Sequence, residues 1–224
     1  MIQRVLNTTI CDGPTITAVV HPARPEVYVG HGLTKASLES QRFRVRRGTG
    51  KTWCWLNLSF RLSLDHEQKY LAVKSSFIGV YAEDNDPSCL CHFDYEREKP
   101  DYPEAHLQVF GDSPALAAWA GRAQDRGLHR LHFPVGGRRY RPCLEDVIEF
   151  MVTEKLAVGR DGWQDVVEAG REDLRRQQLR AAVRNDPDTA RQMLSELDQA
   201  AAEAAQLAKV PKARRGWPLN RART

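Results

Sequence analysis

The stretch Cys54-Trp55-Leu56-Asn57-Leu58-Ser59-Phe60-Arg61-Leu62-Ser63-Leu64 decides how this chain folds. Cys54, Leu56, Leu58, Phe60, Leu62 and Leu64 alternate with Trp55, Asn57, Ser59, Arg61 and Ser63. A period of two is that of a β-strand with one face buried. Asp65-His66-Glu67-Gln68 follows as a turn. Residues 69–82 then continue as a second strand, with Leu71, Val73, Phe77 and Tyr81 expected on one side. The pair predicts an antiparallel hairpin.

Working outward, Asp84-Asn85-Asp86-Pro87 is a strong breaker. Residues 88–96 read as a third strand, with Cys89, Cys91, Phe93 and Tyr95 on one face. Leu90, His92, Asp94 and Glu96 occupy the other. After Pro100 and Pro103 comes a fourth strand over 104–110, with Ala105, Leu107 and Val109 opposite His106 and Gln108. Residues 129–135 read as a fifth. Upstream, the β-branched stretch 13–30, interrupted by Pro22 and Pro25, reads as two short strands around a turn.

Helix signals follow the sheet. Ser113-Pro114 is an N-cap with proline in the first turn, and predicts a helix near 114–126. Pro142, with Glu145 and Asp146 after it, opens a helix over 143–156 whose stripe is Leu144, Val147, Ile148 and Met151. From Asp161 the composition turns to Arg, Glu, Gln and Ala, which predicts a helix to about Asn185. Asp186-Pro187 breaks it, and a further helix runs to about Ala208 with a narrow stripe of Met193, Leu197, Ala200, Ala204 and Leu207. The expected fold class is α+β: a twisted antiparallel β-sheet packed by two short helices, followed by a C-terminal helical arm. The expected divisions are a sheet domain over 1–158, an arm or helical hairpin over 160–208, and a basic flexible tail over 209–224.

The 224 residues are 28% charged and 42% hydrophobic, the proportions of a soluble globular protein. No apolar run approaches the roughly 20 residues of a membrane helix. Met1 to Asp12 lacks the pattern of a secretory signal, so the expected location is the cytoplasm, with no membrane partner. The net charge is +4, and six basic residues, Lys209 to Arg223, follow the last acid, Glu203, leaving −2 on the first 203 residues. A basic tail suits a polyanion as well as it suits a solvated end. The five cysteines are odd in number and match no secreted framework, which fits reduced thiols. No phosphate-binding loop, dinucleotide fingerprint, His-Glu-x-x-His or Gly-x-Ser-x-Gly occurs. ATP-driven motors, Rossmann dehydrogenases, zincins and α/β-hydrolases are therefore poorly supported, and no cofactor is expected.

Three constellations could carry chemistry. His92 and Asp94 lie two apart on one strand, His106 lies on the next, and His132 on the fifth. Paired in order, these strands would bring the histidines together, and imidazole beside a carboxylate suits acid–base work near neutral pH. The same residues also suit the solvated face of a half-exposed sheet. Cys89, Cys91, His92, His129 and His132 are metal-ligand types, but their spacing is not that of a standard zinc site, and no metal is assigned. Arg138, Arg139, Tyr140 and Arg141 follow Gly136-Gly137 before a helix start. Arg44, Arg46 and Arg47 lie near Trp53 and Trp55. Arginine forks grip phosphate, and Trp53, Trp55 and Tyr140 could stack on bases. The expected partner is nucleic acid, RNA in particular, through these patches and the tail. A protein partner or self-association through 160–208 is the alternative.

The order of elements resembles one family. A twisted antiparallel sheet leads to the histidine-bearing strand Glu104-Ala105-His106-Leu107-Gln108, then to His132-Phe133-Pro134 and a short amphipathic helix at 144–156. Over about 50–156 this looks like the TumE-type toxins of bacterial and archaeal toxin–antitoxin pairs. The resemblance implies a small single-sheet protein with clustered histidines on late strands that acts on RNA. The family's histidine cluster is denser, with Gln108 standing here in place of a second His.

Overall fold

A computed structural model of the chain describes residues 1–47, 54–65, 67–84, 89–97, 99–115, 118, 127–137 and 141–209. The helix expected near 114–126 falls largely outside them, as does the tail beyond Lys209. The chain divides into two compact units, Met1–Leu174 and Arg175–Thr224.

The first unit is built on an eight-stranded antiparallel sheet, so the fold is α+β. Its strands are β1 (Ile16–Val20), β2 (Glu26–His31), β3 (Phe43–Arg44), β4 (Trp55–Leu64), β5 (Leu71–Tyr81), β6 (Cys91–Glu96), β7 (Ala105–Val109) and β8 (Phe133–Pro134). They lie in the order β1-β2-β4-β5-β6-β7-β8, and β3 pairs with the stretch of β4 that β2 leaves open. Neighbouring strands pair antiparallel, which puts residues far apart in sequence side by side on one face.

The alternation in β4 sorts the two faces. Leu56 and Leu58 are fully buried and pair with Val80 and Ile78 of β5. Cys91, Phe93 and Tyr95 continue this apolar face through β6, and Ala105, Leu107 and Val109 through β7. Two short helices cover it: α1 (Ile2–Thr9) and α2 (Leu144–Thr153). Val5, Leu6 and Ile10 from α1 and its end join Leu144, Val147, Ile148 and Met151 of α2 in one core with the sheet. Asp146 caps α2 by accepting from the Cys143 backbone N–H at 2.9 Å and its thiol at 3.1 Å. Helix α1 is absent from the expectation, although Ile2, Val5, Leu6 and Thr9 carry helical spacing. Eight residues are too few to be helical on their own, so packing makes it.

Two strand expectations need correction. Leu71 and Val73 do not share a side with Phe77 and Tyr81. The register shifts at Arg61/Leu62, where Leu62 faces Val73 and Lys74 is the extra residue. This bulge moves Leu71 and Val73 to the apolar side and leaves Phe77 and Tyr81 on the polar side. Residues 129–135 are not a continuous strand. Leu128–Arg130 form a 3-10 turn, and only Phe133–Pro134 pair, at the sheet edge. Proline lacks the N–H that an inner strand needs, so the edge is where it fits.

The third helix, α3, runs from Trp163 to Asn185, and α4 from Pro187 to Lys209. Packing of the first unit extends past residue 158 into the start of α3. Val167 is buried in the core, and Arg171 pairs with Asp146 at 2.8 Å and with Glu149. In the second unit, Met193, Leu194 and Leu197 of α4 are exposed. No helix among the described residues is long and apolar enough to cross a membrane.

Candidate functional site

The polar face of the sheet gathers the expected histidines. Antiparallel register sets His92 opposite Gln108 and Asp94 opposite His106, and β8 brings Pro134 opposite His106. His132 stands just before β8. The rings of His106 and His132 lie 4.7 Å apart, edge to face, and those of His92 and His106 lie 6.4 Å apart. Four residues from two strands and a loop, His92, Asp94, His106 and His132, thus form one cluster.

Hydrogen bonds within it run in one direction. The Cys89 thiol, pushed up to about 11 by burial and by nearby Cys91, stays protonated and donates to His92 Nδ1 at 3.4 Å. His92 Nε2–H then donates to Gln108 Oε1 at 2.6 Å. The Gln108 amide donates onward to His132 Nε2 at 3.3 Å. Each ring is thereby held in one neutral tautomer. Burial lowers the pKa of His92, and its charge repulsion with His106 and His132 acts the same way, against the Gln108 bond. Burial, and then His106, lowers His132.

His106 is the innermost ring, 1% exposed. Its Nδ1–H donates to the Pro103 carbonyl at 3.0 Å, which leaves Nε2 as the basic atom. Nε2 faces Asp94 Oδ2 at 3.9 Å, beyond hydrogen-bond range. Burial raises the pKa of Asp94, and the nearness of His106 opposes it. Tyr102 closes the cluster: its ring lies 4.6 Å from His132 and 4.8 Å from His106, and its hydroxyl donates to Glu96 at 3.2 Å.

The basic–aromatic residues separate into groups. Arg44 stacks over Trp55 at 5.1 Å and Arg42 over Tyr81 at 3.7 Å, and Trp55 and Tyr81 face each other across β4 and β5 on the polar face. Arg46 instead pairs with Asp12 at 3.2 Å, and Arg47 bridges by backbone to Ala157. Arg141 stacks 4.3 Å over Tyr95, which belongs to the apolar face, and burial lowers its pKa. These three do not join the histidines. Asp12 holds Arg46 and the core aromatic Tyr95 holds Arg141, pairings that linear charge runs do not reveal. Trp53, Arg138, Arg139 and Tyr140 lie outside the described residues. Among the described residues, no group of three or more His, Cys, Asp and Glu side chains is placed to hold a metal ion. Cys91 belongs to the apolar face, away from the side that His92 occupies.

Sequence reasoning missed Tyr102, which precedes Pro103 in a stretch read as loop. It also missed Asn57 and Arg61, read only as the outer face of a strand. With Tyr28, Ser59, Ser75, Phe77 and Glu96 they line a groove of about 310 Å³. Phe77 joins the groove to the cluster, its ring 5.0 Å from that of His92. A second hollow of about 380 Å³, bounded by Arg42, Asn57 and Asp84, adjoins it.

Comparison with family models, curated proteins and solved structures finds no match to this chain.

Proposed function

We propose that the protein binds single-stranded RNA along the polar face of its sheet and cleaves the bound strand at the histidine cluster. What supports this reading above all is that one face carries both parts. Trp55 of β4, with Arg44 of β3 over its ring, lies two strands along the face from the cluster of His92, Asp94, His106 and His132 on β6, β7 and the loop before β8. Aromatic rings stack on bases whatever their sequence, and arginines offset the phosphates. Imidazoles kept neutral near pH 7 can take a proton from a ribose 2′-hydroxyl as it attacks phosphorus. The imidazolium so formed then hands that proton to the departing 5′-oxygen. In this reading His132, the outer ring, acts on the strand, and His106 with Asp94 packs behind it. His92 is a positioning residue acting through Gln108. A role as a toxin of a toxin–antitoxin pair would follow from the same activity.

The test is binding of a mixed single-stranded RNA pool at two salt concentrations, with degradation followed in the same tubes. Binding is expected to weaken steeply with salt, as phosphate contacts require. His132→Gln is expected to abolish cleavage and retain binding. Cleavage undiminished in that variant overturns the catalytic assignment, and absence of binding at low salt overturns the whole reading.

A second reading has its own observation. Leu179, Val183, Met193, Leu194 and Leu197 are exposed apolar residues on the last two helices. Exposed apolar side chains of this kind suit self-association or a protein partner. Light scattering of the full chain and of a Leu194→Glu, Leu197→Glu variant decides it: an unchanged oligomeric state removes the support.

A further inference from the structure

The geometry points to the groove beside Phe77 as a pocket for one nucleobase of the bound strand; this rests on the RNA reading and names its recognition site. Asn57 and Arg61 line the groove, and each carries a buried polar atom with no hydrogen-bond partner among the described residues: Asn57 Oδ1, an acceptor, and Arg61 Nε, a donor. Leaving such atoms dry costs stability, so a ligand that satisfies both gains by it. They stand on β4 four positions apart and so on one face. The Asn57 amide is already committed, donating to the Ser40 carbonyl at 3.1 Å, which orients Oδ1.

A ligand that answers them must offer both a donor and an acceptor. Every nucleobase does so on its pairing edge. The groove adds the rings of Tyr28 and Phe77 and the hydroxyls of Ser59 and Ser75. Its volume of about 310 Å³ sits at the lower end of small-ligand sites, roughly 300–1,000 Å³. Charge argues against a phosphate here. Glu39 and Glu96 share the lining with Arg61, and Lys99 beside Glu96, at 2.7 Å, holds that carboxyl below its usual range and therefore ionised. A neutral base fits a site of mixed charge, and a dianion does not. A base at Phe77 puts its neighbouring phosphodiester toward His92, whose ring touches Phe77.

The test compares ligands that differ only by the base: the four ribonucleoside 5′-monophosphates against ribose 5-phosphate, titrated calorimetrically into the full chain. At least one nucleotide is expected to bind about 10-fold or more tightly than ribose 5-phosphate, the margin of one good polar pairing. Asn57→Leu and Arg61→Met are each expected to remove most of that margin. Equal affinity for all five compounds, or no binding of any up to about 10 mM, overturns the pocket. The comparison on the unaltered protein decides the matter if a variant fails to fold. The two readings fail separately. Salt-sensitive binding of the RNA pool without a base-dependent margin removes the pocket alone. A base-dependent margin without RNA binding leaves a mononucleotide site and removes the RNA reading.

Discussion

Tyr102 lies flat on His132, with ring centroids 4.6 Å apart and planes 9° from parallel. The stack shields the outermost histidine while the Tyr102 hydroxyl donates to Glu96. Burial is the first cause of the lowered His132 pKa. Tyr102→Ala is expected to raise that pKa toward 6.5, and Tyr102→Phe to leave it nearly unchanged. A proton NMR titration of the imidazole C–H signals checks both. An unmoved His132 in the alanine variant would remove the shielding argument.

Stability should fall as the solution is acidified through the histidine range. His92 and His132 have folded pKa values below the ordinary 6.5. The unfolded chain therefore takes up protons first, and the folded state loses ground as pH drops below about 6.5. Asp94 works the other way and lower down: its folded pKa is raised, so protonation favours the folded form as pH falls toward 3.8. Urea midpoints at pH 7.5 and 5.5 measure the histidine part. His92→Gln is expected to reduce the difference between them, and an identical difference in that variant would exclude His92 as a source.

Gln108 joins two rings that do not touch one another, accepting from His92 and donating to His132. Gln108→Leu leaves the His92 N–H without its acceptor in a half-buried place. The expected loss is about 1–2 kcal/mol of stability, read from the urea midpoint. The variant is also expected to lower the pKa of His92, because the Gln108 bond is the one influence that raises it.

Gly79 separates two aromatic rings of the polar face. A Cβ there would stand 2.8 Å from both Phe77 Cε1 and Tyr81 Cε2. Both rings would have to move, and one of them lines the groove. Gly79→Ala is expected to cost about 1–3 kcal/mol by crowding and to weaken nucleotide binding. Unaltered stability and affinity together would show that the rings yield freely.

Helix α1 is a core element in spite of its length. Leu6 is fully buried, whereas Leu197 of α4 is 61% exposed. Leu6→Ala is expected to cost about 2–5 kcal/mol, and Leu197→Ala to stay within about 0.5 kcal/mol. Thermal melts of the two variants side by side give the contrast.

By itself the sequence determined the parts whose signal is local. Alternation from Cys54 to Leu64 carries the central strand, and the split of β6 and β7 into apolar and polar positions follows from the same period. Leu144, Val147, Ile148 and Met151 announce α2, and Asp186-Pro187 marks the break before α4. These need only a residue's own neighbours, because strand and helix periods are set by the backbone. The histidines could be named from residue type, but their meeting depended on antiparallel register between strands far apart in sequence. Tertiary structure alone decided the rest. The bulge at Lys74 exchanged the faces of Val73 and Phe77, since one extra residue inverts a period of two. Asp12 took Arg46, and Tyr95 took Arg141, because opposite charges and ring faces pair through space rather than along the chain. The groove of Asn57 and Arg61 came into being only when β2, β4, β5 and β6 lay side by side, since one strand's outer face is a surface and several make a cavity.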